Sequence, residues 1–347
     1  MKLAGDIGGT KTSLALVEKG STGPLILRDE TFSSRHFTSF DQLLDAFVGS
    51  DEVIEDVCLG IAGPIMNDAC KTTNLPWNIE ADALRKRLQT QKVTLLNDLE
   101  AMALGMLELP HEDWVTLQQG DVAALGHRAV IAAGTGLGEC FLHWDGKGFR
   151  TMATEGGHAD LASQNDLQDD LLRYLRGQFH PHVSIERILS GSGFGVLYDF
   201  IVTTQRASES SKVPDGNLIG GVDRNAVISQ LGLEKLDPAC SQALDLFVDL
   251  FGAEAGNLAL KGLTKGGVYI GGGIAPKILP ALRDGRFIEA FRAKGRFRSL
   301  LETLPVKVAT NQRAPLIGAM HYWIRQETTE EDVPSPGLRQ RRPGPIG

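Results

Sequence analysis

The chain has little that ties it to an oxidising compartment, a membrane or a nucleic acid. Its 347 residues include four cysteines, Cys58, Cys70, Cys140 and Cys240, scattered with no CxxC pair. That spacing excludes a disulfide framework and a zinc ribbon, and it fits a reducing compartment. Basic charge is in deficit, with a net charge of −8, which argues against a large nucleic-acid footprint. No uninterrupted apolar run approaches the roughly 20 residues of a membrane span. The stretch "MKLAGDIGGT" reaches Asp6 before any apolar core forms, so it does not read as a signal peptide. A cytoplasmic protein without membrane or nucleic-acid partners is the expectation. The common nucleotide signatures are missing too. There is no GxxxxGK[ST], and both "GTGLGE" and "GSGFGV" lack the last glycine of GxGxxG.

What is present is an ordinary globular composition, 42% hydrophobic and 22% charged, in a chain long enough for two domains. "KLAGDI", "SLALVE" and "LILRDETF" read as strands, followed by a helix over 39–49, a strand "DVCLGIAG", a helix over 80–90 and the strand "VTLLND". The second half starts again with "RAVIAAGTGLGECFLHW", an apolar strand, a glycine turn and another apolar strand. A long helix over 238–263, the strand "GVYIGG", a helix over 276–283, the strand "VKVAT" and a closing helix "APLIGAMHYWI" follow. The order predicts a mixed α/β fold of two related lobes. We divide it into a small α/β domain of 1–108 plus about 312–326, a large α/β domain of 109–311, and a flexible, Pro- and charge-rich tail of 327–347.

The turns carry the chemistry. "DIGGT" (Asp6, Ile7, Gly8, Gly9, Thr10, preceded by Gly5) and "GTG" (Gly134, Thr135, Gly136) each place small residues between two strands. Backbone N–H groups in such turns form concavities that suit phosphate oxygens. A third glycine run, including Gly272 and Gly273, links a strand to a helix. Asp6 beside the first turn is a candidate partner, through water, for Mg²⁺, which takes few carboxylates. A second, polar set points to a polyhydroxylated ligand: Asn97 and Asp98 at a strand end, Glu155 and His158 around a Gly-Gly turn, and Glu186 before another glycine loop. Asp98 has two readings here, a helix N-cap or a carboxylate at the carboxyl end of a strand, where α/β sheets place ligands. Glu155 and His158 could instead share a metal, but no further cysteine or histidine accompanies them.

Together "LAGDIGGTKTSLALV", "TNLPWNI", "LLNDLEAMALG", "AAGTGLG", "ATEGGHADL" and "ERILSGSG" resemble the bacterial glucokinases over about residues 1–325. That family lies within the group of sugar kinases, actin and heat-shock chaperone ATPases. The resemblance implies two ribonuclease-H-like lobes, the actin-like ATPase fold, with the active site in the cleft between them. It implies ATP and Mg²⁺ as cofactors, glucose as substrate and a homodimer. It makes Asp98 the base acting on the sugar 6-hydroxyl, with Asn97, Glu155, His158 and Glu186 binding hydroxyls. The Gly5–Thr10 and Gly134 loops would hold ATP phosphates, and the 271–273 loop would lie near the adenosine.

Two departures bear on the branch. Repressor-type relatives carry a cysteine-rich zinc motif after "EGGH", whereas "EGGHADLASQNDLQDDLL" has no cysteine. Lys11 stands where many bacterial glucokinases have Asn. The alternatives are a kinase for another hexose or N-acetylhexosamine, a nucleotide-gated sugar sensor with little turnover, and a plain ATPase. No helix-turn-helix segment precedes "MKLAGDIGG", which argues against the sensor, and the polar cluster argues against the plain ATPase.

Overall fold

The computed structural model describes residues 1–331 apart from 22, 73, 122, 217, 220 and 221. In chain order, the first half holds β1 (Lys2–Ile7), β2 (Lys11–Lys19), β3 (Pro24–Ser33), α1 (Phe40–Phe47), β4 (Asp56–Ile61), the ribbon of β5 (Ala69–Lys71) and β6 (Asn78–Glu80), α2 (Ala81–Arg87), β7 (Lys92–Asn97) and α3 (Asp98–Met106). The second half opens with β8 (Trp114–Gln118), β9 (Arg128–Ala133), β10 (Leu137–Trp144), β11 (Phe149–Ala153), α4 (Asp166–Arg176) and α5 (Gly193–Thr203). It continues through the short pair β12 (Leu218–Ile219) and β13 (Val222–Asp223), α6 (Arg224–Leu233), α7 (Pro238–Gly262), β14 (Val268–Gly271), α8 (Leu279–Leu282), α9 (Arg286–Arg292), α10 (Arg298–Thr303), β15 (Val306–Ala309) and α11 (Ala314–Glu331).

The five-stranded sheet has the order β3-β2-β1-β4-β7 and the six-stranded sheet β11-β10-β9-β14-β15-β8. Each begins as an antiparallel meander and then adds two parallel strands: β4 and β7 beside β1, β14 and β15 beside β9. The same topology therefore occurs twice, and β8 is an extra antiparallel edge on the second sheet. The two lobes expected from the paired strand–glycine turn–strand units are present.

Local chemistry explains the elements. β4 is buried at all six positions, as a parallel strand covered on both faces must be, and its sequence "DVCLGI" is accordingly almost wholly apolar. Asp237 caps α7 by accepting from the Cys240 N–H at 2.9 Å, and Pro238 sets the first turn. The helix buries Phe247 and Phe251 in a ring cluster, with Phe194 stacked on Phe247 at 4.4 Å and Phe287 against Phe251 at 5.5 Å.

The helix expected over 276–283 forms only over Leu279–Leu282. The preceding Ile274 N–H donates to the Ala133 carbonyl at 3.2 Å, and Lys277 and Ile278 both donate back to the Ile274 carbonyl, so these residues make successive turns. Pro276 and Pro280 supply no N–H to a helical ladder. Of the tail expected over 327–347, the residues up to Glu331 continue α11, and 332–347 lie outside the described residues. Among the described residues no helix is long and apolar enough to cross a membrane.

Helix α3 lies between the sheets. Its Ala101 and Leu104 join Ala4, Val17, Cys58 and Leu96 of the first sheet in one core cluster. Its Leu99, Ala103 and Met106 join Val130, Ala132, Cys140 and Leu142 of the second in another. The residue that opens this helix is Asp98.

Candidate active site between the two sheets

Parallel pairing lines up the strand ends of the first lobe. Asp6 of β1 is paired with Gly60 of β4, and Ile61 with Asn97 of β7. Asp6, the β4 terminus and the Asn97–Asp98 junction therefore share the carboxyl edge of the sheet. The second sheet repeats this, with Ala132 of β9 paired to Gly271 of β14. The 272–274 turn then crosses the end of β9 through the Ile274–Ala133 hydrogen bond, which brings Gly272 against Ala133, the residue before Gly134.

The junction separates two tasks that sequence alone leaves merged. Asn97, not Asp98, is the N-cap of α3: its Oδ1 accepts from the Leu99 N–H at 2.9 Å and its Nδ2 donates to the Gly63 carbonyl at 3.1 Å. Glu100 closes a capping box by accepting from the Asn97 N–H at 3.2 Å. Asp98 is the first residue of the helix, and its Oδ1 shares the Leu99 N–H at 3.0 Å. Burial pushes its carboxyl up to about 6, against that hydrogen bond, and the charge of Glu155 adds to the rise. Asp6 is pushed up to about 7, first by burial and then by the charge of Asp98. Two carboxylates that resist ionising together suit a place where a cation and a proton acceptor are both needed.

The first glycine turn is closed by the Gly8 N–H donating to the Lys11 carbonyl at 3.0 Å, while Ser34 Oγ donates to the Gly8 carbonyl at 2.7 Å. Gly5 and Ile7 lie within β1, with Ile7 buried in the lobe's core, and Lys11 begins β2 at the surface. In the second turn the Gly134 N–H donates to the Gly136 carbonyl at 2.8 Å, with Thr135 at the tip.

Apart from Asn97 and Asp98, the candidate sugar-binding residues come from two segments. Glu155 precedes and His158 ends a single 3₁₀ turn after β11, Gly156–His158, and Glu186 sits in another, Ile185–Arg187. The segments are laced together: the Leu161 N–H donates to the Val183 carbonyl and the Ile185 N–H to the Ala159 carbonyl, each at 3.0 Å. His158 Nε2 consequently lies 3.7 Å from Glu186 Oε1. The Gly-Gly of this turn is a packing requirement, since a Cβ on Gly157 would lie 2.1 Å from the Leu137 carbonyl oxygen. Among the described residues no group of three or more His, Cys, Asp or Glu side chains is placed to hold a metal, so the shared-metal reading of Glu155 and His158 has no third ligand.

One buried group was not singled out by the sequence. Glu139 of β10 lies under Gly156, and its carboxyl is pushed up to about 7 by burial and by Glu254, against Lys261. A lone Glu among the apolar residues of "GECFLHW" was the available signal.

Doubled meander-plus-parallel sheets, glycine turns at their strand ends and carboxylates gathered where the sheets meet define a phosphotransferase or ATPase of the actin-like α/β class. Within it the chain belongs to the glucokinase family, whose family model, described as Glucokinase, matches residues 3–326. The chain is 40% identical over 340 residues to a glucokinase of Synechocystis sp., covering 91% of this chain and 96% of that one. The crystal structure of a glucokinase from an Antarctic psychrotroph superposes with a TM-score of 0.78 at 31% identity, covering 93% and 98% of the two chains. A ROK-family glucokinase from Streptomyces griseus, solved with glucose and AMPPNP, shares the fold at a TM-score of 0.59 and 20% identity, over 92% and 97% of the chains.

Proposed function

We propose that the family's reaction, ATP-dependent phosphorylation of glucose at its 6-hydroxyl, runs between the two sheets with Asp98 as general base. One observation carries this reading: Asp98 stands at a strand's carboxyl end on the interlobe helix, yet the capping is done by its neighbour Asn97, which leaves Asp98 an oxygen for a substrate hydroxyl. A hydroxyl is a weak nucleophile. A carboxylate within hydrogen-bond reach orients it and takes its proton as the bond to phosphorus forms. In the step, sugar O6 attacks the γ-phosphorus, the bond from that phosphorus to the bridging oxygen breaks, ADP leaves, and the O6 proton passes to Asp98.

Asn97, Glu155, His158 and Glu186 hold the other hydroxyls in this reading. The turns of Gly8–Thr10 and Gly134–Gly136 offer N–H groups to the phosphates, and Gly272 and Gly273 border the nucleotide's other end. Asp6 fits Mg²⁺ arriving with ATP, because its carboxyl shares a site with Asp98 and a cation offsets their repulsion. Such an ion neutralises phosphate charge during transfer. The lobe division of 1–108 plus about 312–326 against 109–311 is supported by α11, whose Leu316, Ala319, Met320 and Trp323 pack with the first sheet.

The test is coupled-assay turnover with ATP and Mg²⁺ against glucose, mannose, fructose and N-acetylglucosamine. Turnover on glucose far above the others is expected. Preference for a different sugar would move the specificity while keeping the chemistry, and glucose binding without turnover on any sugar would overturn the kinase reading.

A further inference from the structure

Glu186 is the one candidate sugar ligand whose carboxylate also reaches into a glycine turn. Its Oε2 accepts from the Leu137 N–H at 2.9 Å, directly after Gly136, while its Oε1 faces His158 at 3.7 Å. The approach to the turn is close enough that a Cβ on Gly136 would lie 2.4 Å from Oε2. The loop that follows Glu186 adds a second tie, the Gly191 N–H donating to the Gly134 carbonyl at 2.8 Å. Below, Glu186 is held firmly: its own turn is fixed by the Ile185–Ala159 hydrogen bond, buried Ile185 and Ile188 flank it, and Arg187 lies over the Phe179 ring at 4.7 Å. What remains free is the orientation of one carboxylate between two sites.

We propose that Glu186 couples sugar binding to nucleotide binding, because a single carboxylate tethers the phosphate-side turn through one oxygen and offers the other to the sugar. This rests on the reading of both sites given above. A hydroxyl donated to Oε1 fixes the side chain and so fixes the Leu137 N–H and the Gly134–Gly136 turn, lowering the ordering cost for incoming phosphates. By linkage, phosphates on the turn favour the sugar by the same factor. Glu186 is in this respect a positioning residue for the turn.

The experiment is calorimetric titration of glucose alone and in saturating AMP-PNP with Mg²⁺, on the full chain and three variants. In the wild type the nucleotide analogue should tighten glucose at least about fivefold, the lower end of ordinary site-to-site coupling. In Glu186→Ala the factor should fall close to one. Glu186→Gln, which keeps an oxygen for the Leu137 N–H, should retain most of the factor while binding glucose more weakly. Gly136→Ala pushes on Oε2 from the turn, so it should raise the glucose Kd with no nucleotide present, although Gly136 lies on the phosphate side. A wild-type factor near one, a Glu186→Ala factor equal to the wild type, or an unchanged glucose Kd in Gly136→Ala would each overturn the coupling. A Glu186→Ala protein with unchanged glucose Kd in the absence of nucleotide would instead overturn Glu186 as a sugar ligand. The two failures are thus separable.

Discussion

A carboxylate that takes a proton near neutral pH does so best when another side chain secures the helix end, and at 97–98 the work is divided in that way. Asn97 satisfies the Leu99 N–H with a neutral amide oxygen, and Glu100 returns the favour to the Asn97 N–H. In the proposed mechanism Asp98 keeps its carboxyl for the sugar hydroxyl, and burial raises it to about 6, which gives a base at this position appreciable affinity for the proton it would accept. The sign of the pH dependence follows. The protonated acid cannot accept the O6 proton, so kcat/KM is full above this value and falls as pH drops through about 6. Asp98→Asn should cut kcat at least about a hundredfold, the scale of losing a general base, with glucose binding still measurable by calorimetry. Near-normal turnover in that variant would remove Asp98 from the role.

At the scale of elements, the helix that bears Asp98 is set by how closely α11 approaches it. Gly105 of α3 and Gly318 of α11 face each other's helices: a Cβ on Gly105 would lie 1.8 Å from the Ala314 carbonyl oxygen, and one on Gly318 1.8 Å from that of Ala101. Gly105→Ala should therefore force the helices apart and destabilise by about 1–3 kcal/mol, the usual cost of overpacking. Thermal melting checks this, and a melting temperature equal to the wild type would mean the pair yields without strain. This contact is also where sequence reading stops. Periodicity makes α7 legible, with its helically spaced phenylalanines, and the strand–glycine turn–strand units make β1–β2 and β9–β10 legible. β11 escapes because "FRTMA" is a mostly exposed edge with no apolar alternation to read. Gly105 escapes because its reason is a carbonyl in the last helix, far away in the chain. The candidate site residues were legible as turn and strand-end motifs, but Asn97 and Asp98 are both good caps, and only the folded junction shows which of them caps. The burial of Glu139 is equally a property of what lies above the strand, not of the strand's own sequence.

Across the whole molecule, α3 is the element that both lobes share, and the polar contact across it is narrow. Glu100 uses one oxygen for the Asn97 N–H within the first lobe and accepts from the Thr151 hydroxyl of β11, in the second, at 2.8 Å with the other. The apolar faces of α3 set how near the lobes lie. This hydrogen bond adds direction, because it connects the second sheet's edge to the backbone that presents Asp98. Thr151→Val keeps the shape and the β-branching suited to a strand but leaves Glu100 Oε1 without its donor. Hydrogen bonds to charged groups contribute about 1.5–3 kcal/mol. If about half of this is felt at the sugar site, the glucose Kd rises about four- to tenfold, since 1.4 kcal/mol is a factor of ten. Calorimetry on the variant measures that rise, and circular dichroism should show the fold retained. An unchanged Kd would mean that apolar packing of α3 alone fixes Asp98 relative to Glu155, His158 and Glu186. A raised Kd with an intact fold would mean that the second lobe aims the base through Glu100.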